Sequence, residues 1–479
     1  MVHLAALVLV PALLGVVVLP VRAMRLQIAA LLAGAALHLA LTGAAWMHRP
    51  AGVGEYLRLD DVGMLFLSIT SVLFAAVATY AVGYLTDPTH DEPAKLHRFV
   101  PYLLLFLAAM TLVAVTHHLA VMWVAVEATT LSSAPLVYFY RRRPALEAAW
   151  KYLMICSVGI ALALLGTFFL GAAEAAVSGA PSLTLEGLTR AAQGMPRAWL
   201  RAAFILALVG YGTKMGLVPL HTWLPDAHSQ APSPVSALLS GALLNCAFLG
   251  VLRFFQVCLA SGDAAFARTL LLLLGFVSIG VATAFLLRQR DYKRLLAYSS
   301  VENMGILAVG AGLGGAAAYG AMLQAVNHSL AKGALFFVAG NVLRGYGTTD
   351  AGDVRGVLRQ LRVSGPLLAA LFLAIGGLPP FGPFMSELMI FRTAIGGRSA
   401  WLGVLFVALL AAAFLAMAGV LLPMLQGSPN RPPRGEREGW LTIVPPLVLT
   451  AAVLLLGVYV PQALADLLGA VAAQIGGAS

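Results

Sequence analysis

Apolar residues run along this chain in stretches of about twenty, separated by short polar turns. A helix needs about 20 apolar residues to cross the hydrocarbon of a bilayer. Fourteen stretches meet or approach that length, at about 4–20, 26–45, 62–84, 99–117, 119–140, 150–171, 202–229, 233–256, 266–288, 293–313, 316–343, 366–395, 401–424 and 440–461. Two of them are interrupted, the seventh around 216–219 and the twelfth at 376–383, GGLPPFGP. A broken membrane helix frees backbone groups that water or protein must satisfy. Matching breaks in two halves of a chain point to an inverted repeat. The expected fold is an all-α polytopic membrane protein of about 14 helices. Helices 4–8 and 9–13 are expected to form two inverted five-helix repeats, each with its broken helix. The chain then divides into 1–98 (helices 1–3), 99–256 (first repeat), 266–424 (second repeat) and 425–479 (last helix).

Composition agrees with this pattern. Of 479 residues 60% are hydrophobic and 10% charged, with a mean hydropathy of +0.89, which excludes a soluble domain. The net charge of +10 reads as basic loops rather than a nucleic-acid surface. With both termini outside, nineteen of the 30 Lys and Arg residues fall in inner loops, nine in outer loops and helix ends, and two within spans. That split fits a prokaryotic cytoplasmic membrane protein with both termini outside. The apolar run at 4–19 lacks a basic segment before it, so it is expected to stay as the first helix. The longest polar connections are near 172–200, 344–365 and 425–439. The last carries Pro429, Pro432 and Pro433 among Arg431, Arg434 and Arg437, and reads as a solvated turn. Cys156, Cys246 and Cys258 lie in apolar runs without a metal-binding spacing. No dinucleotide fingerprint or P-loop is present, so no cofactor is expected in this chain.

Candidate chemistry lies in the few ionisable residues at membrane depth. Glu127, Glu302, Glu387, Lys214 and Lys332 interrupt apolar spans, and His328 lies one helical turn before Lys332. Each charge costs about 2.5–3.5 kcal/mol at mid-bilayer on insertion scales. A carboxylate near a helix end also serves as a cap, and a lone histidine is often simply packed in a core. Those uses compete for Glu387, Glu302 and His328 but fit Glu127 and Lys214 poorly. A carboxylate beside a desolvated lysine favours the protonated amine, and its withdrawal lets the proton go. Glu127 and Lys214 are expected to form such a switch, with Lys332, His328 and Glu387 continuing the route. Thr213, Ser240, Asn245, Tyr298, Ser299, Ser300 and Asn327 could hold bridging waters. His221, Asp226 and His228 form a polar patch past the first break, on the inner side, and suit proton entry. Asn245 lies where the onward path has least support.

These segments resemble a known family. GTKMGLVPLHTWLPDAHSQAPSPVSALLSG around Lys214, WVAVEATTLSS around Glu127, YSSVENMG, NHSLAKGALFF and PPFGPFMSE together resemble the antiporter-like membrane subunits of respiratory complex I, of Mrp-type cation/proton antiporters and of group 4 nickel–iron hydrogenases. VEATTLSSAPLVYFYRR and KYLMICSVGIALALLGTFF are most similar to the F-type subunit of hydrogenase-4. The resemblance implies a non-catalytic, proton-translocating subunit of a hydrogenase-4-like or complex I-like oxidoreductase. Iron–sulfur clusters and a nickel–iron or quinone site would lie in partner subunits. The implied partners are other membrane subunits, a peripheral redox arm, the lipid bilayer, and protons or Na⁺ as the ion. It also implies that Glu127 is the fifth-helix glutamate that modulates Lys214, that Lys332 is central to the second half-channel, and that Glu387 is its twelfth-helix end. His221, Asp226 and His228 match polar residues beside the broken helix. Asn245 stands where many relatives carry lysine, and Asn303 where hydrogenase relatives often carry histidine. The long lateral helix of some relatives is not expected. The alternatives are an Mrp-type Na⁺/H⁺ antiporter subunit without a redox partner and an inactive scaffold.

Overall fold

Backbone amides in lipid have no water to pair with, so apolar segments must close their hydrogen bonds internally as helices. The computed structural model describes residues 2–86, 97–397, 399–428 and 438–476. Among the described residues extended pairing is confined to isolated bridges, and all else of length is helical. The helices in order are α1 (Val2–Val18), α2 (Met24–Met47), α3 (Asp61–Leu85), α4 (Phe99–Val115), α5 (Leu119–Val137) and α6 (Arg143–Ser178). Then come α7 (Arg197–Met215), α8 (Trp223–Gln230), α9 (Ser233–Ala260), α10 (Ala264–Leu286), α11 (Tyr292–Leu313) and α12 (Gly315–Tyr346). The last are α13 (Ser364–Ile375), α14 (Gly382–Gly396), α15 (Trp401–Leu425), α16 (Trp440–Val458) and α17 (Gln462–Gly476). Among the described residues eight helices are long and apolar enough to cross a membrane: α2, α3, α5, α6, α9, α10, α15 and α16. Three shorter apolar helices lie at α1, α4 and α13.

Both expected breaks are present. α7 stops at Met215, where Gly216 takes φ +88. A side chain is strained in that region, and a Cβ on Gly216 would also strike Leu224. Helix resumes at Trp223. The second break leaves residues 376–381 outside helix, between α13 and α14. A cis X-Pro bond lies in each, Val218-Pro219 and Pro379-Pro380.

Helix ends differ from expectation in places. α6 reaches Ser178 although a polar connection was expected from 172. Its last turns, AAEAAVS, are good helix formers, and Gly179 at φ +81 ends the helix. Glu174 in that extension is buried and accepts the backbone amides of Ser182 at 2.9 Å and Leu183 at 3.0 Å, fixing the following loop. The sequence offered no expectation of α17. It lies against the far ends of α3 and α12, where Gln474 donates to Asp61 at 3.1 Å and Arg268 donates to the Gly476 carbonyl. The basic turn expected across 425–439 lies mostly outside the described residues, with Arg431, Arg434, Arg437 and its prolines. Lys95 lies outside them too.

Two residues counted with loops are buried inside helices. Lys293 is 2% exposed in the first turn of α11 and donates to the Ala231 carbonyl at 2.7 Å. Arg253 is 1% exposed on α9 and makes a two-point ion pair with Asp60 at 2.6 and 2.7 Å. Asp60 also caps α3, accepting from the Gly63 amide at 2.8 Å, and lies 3.4 Å from His117. Burial alone would push the Asp60 carboxyl up, but the Arg253 guanidinium outweighs it and holds the group well below the usual carboxylate range.

The centre of the bundle is α9 packed on α12. Residues 231–255 and 320–339 are buried throughout. Gly241 permits the close approach, since a Cβ there would lie 2.9 Å from the Ser329 carbonyl. A π-helical turn at Leu239–Leu243 widens α9 at this crossing and re-aims the residues that follow.

Candidate functional site

The first polar group is built by α5, α6 and α7. Lys214 reaches the last turn of α7 and is fully buried. Its ammonium donates to Thr130 Oγ1 and, at 3.1 Å, to Tyr152 Oη. It also lies 4.9 Å over the Tyr152 ring, a favourable place for a cation. Thr130 stands one turn after Glu127 on α5 and donates to Glu127 Oε2 at 3.4 Å. One hydroxyl therefore accepts from Lys214 and donates to Glu127. The expected pair is joined through Thr130, and among the described residues no direct ion pair links them. Glu127 is only half-buried, and Ser157 on the exposed flank of α6 donates to it at 3.2 Å. The carboxylate thus sits near the side of the bundle and the lysine inside it.

The patch past the first break divides in two. Asp226 is an ion-pair hub, bound by Arg294 of α11 and, at 3.1 Å, by Lys151 of α6. It ties two helices together at the end of the bundle that holds the α5–α6 turn. His221 and His228 face inward. His228 is fully buried, stacks on Phe336 at 5.4 Å, and neither ring nitrogen has a partner among the described residues. His221 lies near the rings of Phe285 and Tyr298.

The second polar group crosses from α9 to α14. Asn245 donates to Ser329 Oγ at 2.7 Å and to the Gly241 carbonyl at 3.0 Å, and its own carbonyl oxygen is unpartnered. His328, next to Ser329, is buried with both nitrogens unpartnered. Lys332, one turn on, donates to Ser299 Oγ and to the Leu296 carbonyl at 2.7 Å. From there the contacts step across α11 and α12. Asn303 donates to the Ser299 carbonyl at 2.8 Å, Gln324 donates to Asn303 Oδ1 at 2.7 Å, and Gln324 donates to Glu387 Oε1 at 3.3 Å. Ser386 donates back to Gln324 Oε1. Glu302 is 3% exposed, has one oxygen unpartnered, and lies within electrostatic reach of Lys332 and Glu387. Glu387 borders a 260 Å³ cavity walled by Phe384, Phe391, Phe406 and Phe414. Ammonium, hydroxyl, amide, imidazole and carboxylate groups at these spacings can pass protons, with water meeting the unpartnered atoms.

Asn245 is the member of the second group that lies on α9, the long helix following the first break. In Asn245→Leu the bond to Ser329 is lost, which in membranes costs only about 1 kcal/mol of helix packing, so the protein should assemble. An added barrier of about 1.4 kcal/mol slows transfer about tenfold, and that is the expected fall in proton flux in reconstituted vesicles. Wild-type flux in this variant would show that protons do not pass α9 here.

Thr130, Tyr152 and Gln324 connect the charged residues and were not singled out from the sequence. Thr130 is the residue among them that spacing could have found, one helical turn from Glu127. Among the described residues no group of three His, Cys, Asp or Glu is placed to hold a metal ion.

Comparison with known proteins gives the family and the fold. Residues 116–415 match the family described as NADH:quinone oxidoreductase/Mrp antiporter, transmembrane. A hydrogenase-4 component F homolog from Methylacidiphilum infernorum is 36% identical over 418 residues, 85% of this chain and 86% of that protein. A chain of respiratory complex I from Thermus thermophilus superposes with a TM-score of 0.77 at 26% identity, over 94% of this chain and 96% of that one. A chain of the Mrp complex from Dietzia superposes with a TM-score of 0.87 at 21% identity, over 100% of this chain and 98% of that one.

Proposed function

We propose a function for this chain on one premise, which the family match and the 36% identical relative establish: it belongs to the family of NADH:quinone oxidoreductase and Mrp antiporter membrane subunits. It is a multi-pass, antiporter-like membrane subunit. We infer that it translocates protons for a hydrogenase-4-like or complex I-like oxidoreductase. Its redox chemistry, with iron–sulfur clusters and a nickel–iron or quinone site, would be done by partner subunits in a peripheral arm.

The observation that carries the proposal is the Thr130 hydroxyl between Glu127 and Lys214. It makes the charge of one group sensible to the other without locking them as an ion pair. A proton on Lys214 is held while Glu127 is charged and near, and moves on when Glu127 withdraws or is neutralised. In the proposed route protons enter past His221 and His228, reach Lys214, cross at Asn245 and His328, and pass Lys332 toward Glu302 and Glu387.

The broken helices support two inverted repeats, 99–256 and 266–424, within about fourteen spans, flanked by 1–98 and 425–479. α7 enters its break from the end of the bundle opposite the α5–α6 turn, while α13 enters from the same end as that turn. The Lys and Arg count supports placing that turn on the cytoplasmic side of a prokaryotic membrane, with both ends of the chain outside.

The competing function is Na⁺/H⁺ antiport without a redox partner, since the description of the family also names the Mrp antiporter. Mass spectrometry of the subunits that co-purify separates the two. Iron–sulfur and nickel–iron or quinone-module subunits are the expected result. Small membrane subunits alone would favour antiport and overturn the redox assignment.

A further inference from the structure

At the end of the bundle that holds the α5–α6 turn lies a cavity of 330 Å³. Its rim carries Arg98, which precedes α4, and Arg141, which lies in the turn after α5. Its floor is apolar and aromatic: the half-exposed Tyr102, Pro135 and Tyr138 face it, with Phe99, Leu136 and Phe139 buried beside them. Both guanidinium groups lack an acidic partner among the described residues, although each has five donors to place.

The turn holds Arg141 in an unusual way. Its backbone takes φ +51, a left-handed conformation that costs a residue with a side chain roughly 1–2 kcal/mol, and its amide donates to the Tyr138 carbonyl at 3.0 Å. The neighbouring Arg142 lies 5.6 Å over the Tyr140 ring, and the Tyr140 hydroxyl meets that of Tyr84 at 2.5 Å. Arg142 is thus engaged outside the cavity while Arg141 lines it. A backbone outlier kept by its surroundings points to a use for the side chain it aims.

The chemistry of the cavity is that of an anion with an apolar tail. Two planar guanidinium groups at its rim suit a phosphate, since each can donate two parallel hydrogen bonds to a pair of its oxygens. The rim lies where α4 begins and α5 ends, and the ends of membrane helices fall at the depth of lipid headgroups. A soluble phosphate would leave the half-exposed Tyr102, Pro135 and Tyr138 in contact with water. We propose that the cavity binds one anionic phospholipid, with its phosphate between Arg98 and Arg141 and an acyl chain along the aromatic floor. The lipid then braces the end of α5, the helix that bears Glu127.

The test uses the purified complex containing the full chain, delipidated and supplied with equal amounts of phosphatidylglycerol and phosphatidylcholine, with bound lipid counted by native mass spectrometry. Wild type should keep one more phosphatidylglycerol than the double variant Arg98→Gln, Arg141→Gln. Loss of charge-assisted hydrogen bonds should weaken its retention about tenfold or more. Arg288→Gln with Arg290→Gln, in the α10–α11 turn and outside the cavity lining, should keep it. If the double variant assembles poorly, Arg98→Gln alone leaves the strained turn intact and should show the loss. Equal phosphatidylglycerol retention in wild type and the Arg98→Gln variant would overturn the proposal. So would displacement of the lipid by millimolar inorganic phosphate, which would make this a site for a soluble anion.

Discussion

Vesicles reconstituted with the complex carrying Lys214→Ala are expected to accumulate no protons, while the complex assembles at wild-type yield. Lys214 is fully buried and its ammonium has two protein hydroxyl partners. Alanine removes the titrating group and leaves Thr130 and Tyr152 as neutral hydroxyls, each with another partner at hand, Glu127 and Ser133. The loss of a charge that costs about 2.5–3.5 kcal/mol at membrane depth should not harm assembly. Glu127→Ala should have the same effect on flux. Thr130 distinguishes a working link from mere proximity. Thr130→Val keeps both charges and the shape of the side chain but removes the shared hydroxyl, and flux should fall about tenfold, equivalent to about 1.4 kcal/mol in the barrier. Thr130→Ser should restore it. Pumping at wild-type rates in Lys214→Ala and Glu127→Ala would sink the switch.

Asp60→Asn should produce the largest loss of stability. The substitution leaves Arg253 charged and buried with no carboxylate, and breaking a buried pair in this way costs about 3–5 kcal/mol. The effect has a pH signature. The Asp60 carboxyl is held well below its usual range, with the pull of Arg253 overcoming the upward push of burial. A carboxylate depressed in the folded state adds stability above its unfolded pKa, about 3.9, and that stability is lost as pH falls through the folded value. Thermal melts in detergent should therefore show a wide gap between wild type and Asp60→Asn at neutral pH. The gap should begin to narrow as pH falls below about 3.9 and go on narrowing toward the folded value. A gap that stays constant across that range would show that the pair contributes through shape alone.

The breaks and the buried charges were legible because few other causes produce them. Glycine and proline in an apolar run interrupt a helix by their own geometry, and 216–219 and 376–383 mark both breaks. Lysine or glutamate at membrane depth is costly enough that Lys214, Lys332, Glu302 and Glu387 stood out, and all four are buried. What joins them was not legible. Thr130 and Gln324 are neutral and cheap in a helix, so nothing local separates them from Ser or Thr residues that only bond their own backbone, as Ser132 does. Glu127 shows the limit on orientation. A run that is apolar all round does not say which face meets the interior, and this carboxylate lies half-buried toward the side. Arg253 and Lys293 show the converse: each sits near the end of a span and counts as a loop charge, yet each is drawn inward by a specific acceptor, Asp60 or the Ala231 carbonyl. α17 follows a readable helical spacing, Leu464, Leu467, Leu468, Val471 and Ile475, but a short apolar stripe after a long one gives no sign of where it docks.

α12 has a further consequence, for how the protein is made. It carries Gln324, Asn327, His328 and Lys332 along one buried helix and is not among the helices apolar enough to cross on their own. A nascent helix leaving a translocon is judged residue by residue against lipid, and a central lysine weighs about +2.5 to +3.5 kcal/mol against entry. Ser299 and the Leu296 carbonyl, which take the Lys332 ammonium, lie on α11, made immediately before. α11 and α12 therefore have physical reason to enter the bilayer as a pair, the polar side of each shielded by the other. The groups proposed to carry protons in the finished protein would in that case also decide which helices leave the translocon for lipid together.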